Sequence, residues 1–380
     1  MKVVVSIDSL KGSLSSLEAG AAIKEGILKA IPDAEVVVRP LADGGEGTVE
    51  ALAIGMGGRL ETVTVTGPLG DPVDCVYGIL EESKTAIVEM SGAAGITLIP
   101  PKKRNPLYTT TYGVGETIKD AIKKGCRHFI VGIGGSATND GGVGMLQALG
   151  FGMLNERGKQ VAFGASGVKD IVKITDDSVI PELKDCTFRI ACDVTNPLCG
   201  ETGCSVVYGP QKGASDAMIK NMDGWLKDFA DLAAEKYEKA DAAYPGTGAA
   251  GGLGFAFLSF TNAVLESGVK IILEETKLDD YVKDADIVVT GEGRLDGQTV
   301  FGKAPIGVAK TAKKYGKTVL AFSGCVTKDA VACNEHGIDA FFPILREVQT
   351  IQEAINPKNA RYNMTATVEQ VFRLLNIKVQ

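Results

Sequence analysis

Both ends of this 380-residue chain spell strand, helix and strand in quick succession, and that grammar constrains the fold more than any other feature. Residues 3–7 open with Val3-Val4-Val5 and stop at Asp8. Ser15-Ser16-Leu17-Glu18 then has the form of a capping box, so a helix is expected to start there and to stop before Pro32. Val36 to Arg39 supplies a second strand. Strands joined through a helix run parallel, which predicts a layered α/β sheet. The far end repeats the pattern with a strand at Ile287-Val288-Val289, a helix after Lys303, a strand from Val319 to Phe322 and another at Phe341-Phe342.

Between the ends the rhythm changes. Residues 60–66 and 73–90 alternate as short strands, with hairpin turns expected at Gly67-Pro68 and Glu81-Glu82. A helix from Thr111 to Lys124 precedes a strand from Phe129 to Ile133, Arg189 to Asp193 forms another strand, and Ala214 to Lys239 reads as a long amphipathic helix. The flanking segments are each small for a doubly wound sheet but adequate together. The expected architecture is therefore α/β with two domains. Residues 1–65 and 285–380 form a discontinuous flavodoxin-like parallel domain, and residues 66–284 form an inserted mixed α/β domain.

Charge and cysteine usage exclude several classes. A net charge of −7 gives no general field for nucleic acid or an anionic membrane. Eight cysteines without a C-x-x-C pair, beside two histidines, assemble no zinc spacing and read as reduced, packed thiols. The N-terminal apolar run is too short for a signal peptide, so a cytoplasmic location is expected. Ala242 to Leu265 carries no charge, yet its glycines, Pro245, Ser259, Thr261 and Asn262 leave too little lipophilicity for a membrane span. It reads as a buried loop leading into a helix.

Glycine is the one residue in excess, at 47 of 380 positions against an average of about 7%, and four clusters hold most of its interest. They are Asp43-Gly44-Gly45-Glu46-Gly47-Thr48, the run Gly132 to Gly142, the run Gly246 to Gly254, and Gly291 to Thr299 with Lys303 just beyond. Loops free of side-chain bulk bring backbone amides against phosphate, and in open sheets ligands bind beyond the carboxyl ends of strands. Three of the clusters also carry acidic side chains suited to Mg²⁺ or to a hydroxyl proton. Together they predict a phosphate-handling cleft. Gly316-Lys317-Thr318 lacks the upstream glycine of a P-loop, because Thr311 stands there. Gly132-x-Gly134-x-x-Ala137, with Glu156 at the spacing of a ribose ligand, formally fits a dinucleotide fingerprint, which leaves an NAD-dependent oxidoreductase as a rival.

Taken in order, Asp8-Ser9-Leu10-Lys11-Gly12-Ser13, the Asp43 cluster, Gly134 to Gly142, Ala191-Cys192-Asp193-Val194-Thr195-Asn196-Pro197-Leu198, Gly209-Pro210-Gln211-Lys212-Gly213-Ala214 and Gly291 to Asp296 closely resemble the class I glycerate kinases. The resemblance runs from the first strand to the last helix. It implies a kinase that uses ATP and Mg²⁺ to phosphorylate D-glycerate, at the 2-hydroxyl to give 2-phospho-D-glycerate, by in-line transfer in an interdomain cleft. One departure is Cys204, where the pattern leads one to expect alanine.

Candidate roles follow from residue chemistry. Lys11 and Arg294 are expected to neutralise a phosphate or the substrate carboxylate, Arg294 having the bidentate geometry. Asp43, Asp193 and Asp296 are candidates for the base, with Asp193 and Asp296 also the candidate Mg²⁺ ligands. Gly134, Gly135, Ser136 and Asn139 are expected to donate to the nucleotide phosphates at a helix start, with Lys212 steering a phosphate. His128 and His336 lie outside the glycine clusters and read as structural, and Trp225 reads as core or an interface anchor. The expected partners are D-glycerate and ATP, with no nucleic acid or membrane; an oligomer is neither required nor excluded. A non-catalytic sugar-acid-binding protein is the second rival.

Overall fold

The computed structural model describes residues 1–45 and 47–377, so Glu46 of the first glycine cluster lies outside the described residues. In chain order the strands begin with β1 (Lys2–Val5), β2 (Glu35–Val38), β3 (Arg59–Thr66), β4 (Pro72–Leu80), β5 (Thr85–Glu89) and β6 (His128–Gly132). They continue with β7 (Gly152–Leu154), β8 (Lys173–Thr175), β9 (Thr187–Ala191), β10 (Ala263–Glu266), β11 (Ile287–Leu295), β12 (Thr318–Val326) and β13 (Ala340–Pro343). The chain divides into two compact units, one of Met1–Asp43, Glu50–Met56 and Val269–Gln380, the other of Gly44–Val49 and Gly57–Gly268.

In the first unit five parallel strands lie in the order β2-β1-β11-β12-β13. This is the 2-1-3-4-5 order of flavodoxin-like folds, in which the strand order reverses beside the first strand and a crevice opens at the carboxyl ends. The helix Ser16–Ala30 begins with both bonds of the capping box, Ser15 accepting from the Glu18 amide and Glu18 accepting from Ser15. Ala19, Ala22, Ile23 and Ile27 recur at helical spacing and are completely buried in one core with Met364, Val368 and Phe372 of the helix Pro357–Leu375. Burying each of the larger side chains, from Ile23 and Ile27 to Phe372, contributes about 1.5–3 kcal/mol.

β11 corrects one sequence expectation. Gly291 to Thr299 was expected to form a loop, whereas Gly291 through Leu295 continue the strand, with Gly291 paired to Phe322 and Arg294 to Cys325 of β12. Gly291 has φ +153°, and a Cβ there would collide with the Phe322 carbonyl oxygen. Its glycine serves close strand contact, and only the residues after Leu295 turn away from the sheet.

In the second unit six strands lie in the order β10-β9-β6-β5-β4-β3. β3, β4 and β5 are antiparallel neighbours, and the pairs from β5 to β10 are parallel. Phe129 and Phe188 stack with centroids 4.8 Å apart, and Phe257 lies 5.6 Å from Phe188. The amphipathic helix is Asp216–Ala234, shorter than Ala214 to Lys239, and Trp225 packs half-buried against the core. The uncharged run forms the helix Ala249–Phe260, broken by left-handed residues at Ala250, Gly251 and Gly252, and then β10. Among the described residues no helix is long and apolar enough to cross a membrane.

Candidate active site

At the carboxyl ends of β1, β2 and β11, a cavity of about 410 Å³ is lined by Asp8, Ser9, Lys11, Asp43, Glu292, Gly293, Arg294, Asp296, Lys303 and Ala304. β1 and β11 are the strands that flank the reversal in strand order, so the fold places charged side chains where an open sheet holds ligands. Lys11 Nζ lies 3.0 Å from Asp43 Oδ2. Against a burial that lowers it, the Asp43 carboxylate raises the Lys11 pKa. Lys303 Nζ stands 3.7 Å from Glu292 Oε2 and 3.6 Å from Asp296 Oδ1, and Arg294 Nε lies 3.4 Å from Asp296 Oδ2. Glu292 is nearly buried, which raises its pKa, while a 2.7 Å bond from the Thr299 hydroxyl and the charge of Lys303 act the other way. Asp8 is 7% exposed and its Oδ1 accepts from the Ser9 amide at 2.7 Å.

The second unit carries the glycine cluster that follows β6. After β6 the segment 135–137 is tied back by Ile96 N–H to the Gly135 carbonyl and by Ala137 N–H to the Ala94 carbonyl, both at 2.8–2.9 Å. The amides of Gly134, Gly135 and Ser136 donate to no described residue. Gly135 has φ +70°, the left-handed conformation that glycine adopts without strain and that recurs in backbone nests for anions. Gly134 and Gly135 are exposed, and Ser136 is 7% exposed.

Of the residues expected at the site, Lys11, Asp43, Arg294 and Asp296 come together in the first unit's cavity. Asp193 lies just past β9 in the second unit, exposed, with Oδ1 accepting the Gly268 amide at 3.1 Å. Asn139 and Lys212 depart from expectation. Asn139 is completely buried, its amide donating to Ser205 Oγ at 2.8 Å, and the helix starts only at Val143, so neither Asn139 nor Gly134, Gly135 and Ser136 stand at a helix start as expected. Lys212 is 2% exposed, its ammonium donating to the Thr138 carbonyl at 2.6 Å, and burial lowers its pKa to about 8. Both side chains brace the loop from beneath. The third glycine cluster meets it as well, with the Gly141 amide donating to the Gly251 carbonyl at 2.9 Å. Beside them Asp140, wholly buried, accepts from Thr111 and from the Gly142 and Gly144 amides.

Sequence reasoning gave no site role to Asp8, Glu292 or Lys303. Asp8 read only as the residue that ends a strand, although it opens the motif Asp8-Ser9-Leu10-Lys11. The dinucleotide reading lacks its structural context, because Glu156 stands in an exposed turn after β7, which pairs with β8 in a two-stranded sheet of its own. Cys204 is buried in the core of the second unit, so its departure from the expected alanine is a packing change. His128 bonds Thr187 and His336 bonds the Ala332 carbonyl, both away from the cavity.

Among the described residues no three His, Cys, Asp or Glu side chains group as a metal cage. Mg²⁺ asks for less, since one or two carboxylates suffice beside phosphate oxygens and water. Asp296 on the cavity wall suits that chemistry.

A flavodoxin-ordered sheet with a charged crevice at its reversal point, together with a glycine-rich loop of open amides on a second α/β unit, is the architecture of a ligand-binding α/β enzyme. The chain matches the glycerate kinase family over residues 3–376 and belongs to it, which makes it a phosphotransferase. It is 47% identical to the glycerate kinase of Haemophilus influenzae over 378 residues, covering 100% of both chains. It is 45% identical to the glycerate 2-kinase of Escherichia coli K12 over 373 residues, covering 97% of this chain and 98% of the other. The crystal structure of a protein assigned as glycerate kinase 2 from Salmonella typhimurium LT2 superimposes with a TM-score of 0.92 at 44% identity, covering 99% of this chain and 98% of that one.

Proposed function

We propose that this enzyme transfers the γ-phosphoryl group of ATP to the 2-hydroxyl of D-glycerate, giving 2-phospho-D-glycerate by in-line displacement. The observation that carries the reading is the cavity in which Lys11, Arg294 and Lys303 alternate with Asp8, Asp43, Glu292 and Asp296. A short hydroxy acid needs a cation for its carboxylate and a hydrogen-bond acceptor for its hydroxyl, and both are within reach of one another there. In this reading Arg294, 64% exposed at its side chain, takes the carboxylate, and Lys11 with Lys303 offsets phosphate charge. The amides of Gly134, Gly135 and Ser136 hold nucleotide phosphates, kept in shape by Asn139 and Lys212. When bound, Mg²⁺ offsets charge on the phosphates, with Asp296 and Asp193 its candidate ligands. The name glycerate 2-kinase borne by the E. coli relative favours the 2-hydroxyl. We further propose that the two units are the two domains of the enzyme, and that it works in the cytoplasm without nucleic-acid or membrane partners.

Coupled detection of ADP with D-glycerate, Mg²⁺ and ATP is expected to show turnover, and NMR of the product is expected to place the phosphate on C2. Absence of ADP release with glycerate and with other short hydroxy acids would sink the kinase reading. Phosphate on C3 would overturn the regiochemistry alone.

A further inference from the structure

We propose that Asp8 is the base that takes the proton from the acceptor hydroxyl, an inference that rests on the phosphoryl-transfer reading above. Four carboxylates line the cavity, and their partners separate them. Asp43 is bound by the Lys11 ammonium at 3.0 Å, Glu292 by Lys303 and the Thr299 hydroxyl, and Asp296 by Lys303 and Arg294. A cation at the oxygen stabilises the carboxylate and weakens it as a base. Among the described residues Asp8 alone of the four has no ammonium or guanidinium within 4.0 Å. Its Oδ1 is held by the Ser9 amide, which orients the group, and Oδ2 accepts from no described residue.

The surroundings tune the same oxygen. Burial pushes the Asp8 pKa up to about 7, and the charges of Asp43 and Glu292 add to it, while the Ser9 amide and Lys11 oppose. Asp43 faces it from the end of β2, Glu292 from β11 and Lys11 from its own loop, with Arg294, Asp296 and Lys303 further along the wall. A base whose proton affinity lies near neutrality can take a proton in one step and return it to water in the next. The step balances. The hydroxyl oxygen bonds to the γ-phosphorus, its proton passes to Asp8 Oδ2, and the bond from the γ-phosphorus to the bridging oxygen breaks to release ADP.

Steady-state kinetics at saturating Mg²⁺ and ATP, across pH, with wild type, Asp8→Asn and Asp8→Glu, test the assignment. No turnover by wild type would refute the kinase reading on which the inference stands, whatever the variants do. Given turnover, Asp8→Asn is expected to lower kcat about 10²–10⁴-fold, with the acid limb of the pH profile gone and Asp8→Glu restoring part of the rate. The KM for glycerate should stay within about threefold, because a base acts on the transition state more than on substrate binding. Circular dichroism reports whether Asp8→Asn is folded. If it is not, Asp8→Glu decides, since a base moved by one methylene must displace the acid limb. An Asp8→Asn kcat within about threefold of wild type, a loss lying wholly in KM, or an acid limb unmoved in Asp8→Glu would overturn the proposal.

Discussion

A carboxyl group that is 7% exposed resists ionisation even with one backbone amide donating to it, and at Asp8 that resistance also affects stability. Its pKa in the folded chain is about 7 against an ordinary 3.8. Below 3.8 both folded and unfolded chains hold the proton. Between the two values the folded chain binds more protons than the unfolded one, so stability falls as pH rises through this window. Above about 7 the penalty is complete and on the order of 4 kcal/mol. Asparagine keeps the acceptor for Ser9 and never ionises. Asp8→Asn should therefore melt above wild type at pH 8, with the difference vanishing near pH 4, as calorimetry at the two pH values can check. Equal melting at pH 8 would mean that Asp8 is not charged against its surroundings. Lys11, Asp43, Arg294 and Asp296 were legible as site candidates because each sits in a motif at or just after a strand end. The environment of Asp8 was not, because Glu292 arrives from β11, about three quarters of the chain away.

Among elements, the helix Ser16–Ala30 and strand β11 show where sequence reading succeeds and where it stops. The capping box is a pair of bonds three residues apart, so four letters determine it. β11 runs on to Leu295 through Gly291, Glu292, Gly293 and Arg294, residue types with poor strand propensity. Its register against β12 holds them in line, and no local pattern announces that pairing. Gly291→Ala is expected to cost about 3 kcal/mol or more, because a Cβ meets the Phe322 carbonyl oxygen at a backbone angle that only glycine adopts readily. Urea unfolding measures this, and a cost under about 1 kcal/mol would show that β11 and β12 can separate there without loss. In the second unit, the left-handed Ala250 between Ala249 and Gly251 is a further departure from local preference, held by the packing of the glycine clusters on one another.

At the scale of the molecule each unit has its own core, and the proposed function gives each its own ligand. Hydrogen exchange can therefore address them separately. D-glycerate alone is expected to protect amides at 8–12 and 291–296, and ATP with Mg²⁺ to protect amides at 132–137, with an overall stabilisation of about 2.7 kcal/mol at a hundredfold excess over Kd. Protection at 132–137 by glycerate, with none at 8–12, would reverse the assignment of the two ligands.

By itself the sequence determined the α/β class, the parallel strands at both ends, the local caps and turns, and the family. These rest on periodicity, on contacts a few residues apart, and on motifs in a fixed order. Tertiary structure decided which acid among Asp8, Asp43, Glu292 and Asp296 lacks a cation, which glycines serve a strand and which present amides, and why Asn139 and Lys212 lie beneath their loop. Proton affinity and amide exposure depend on what surrounds an atom in space, and those surroundings are built from strands that meet only when the chain has folded.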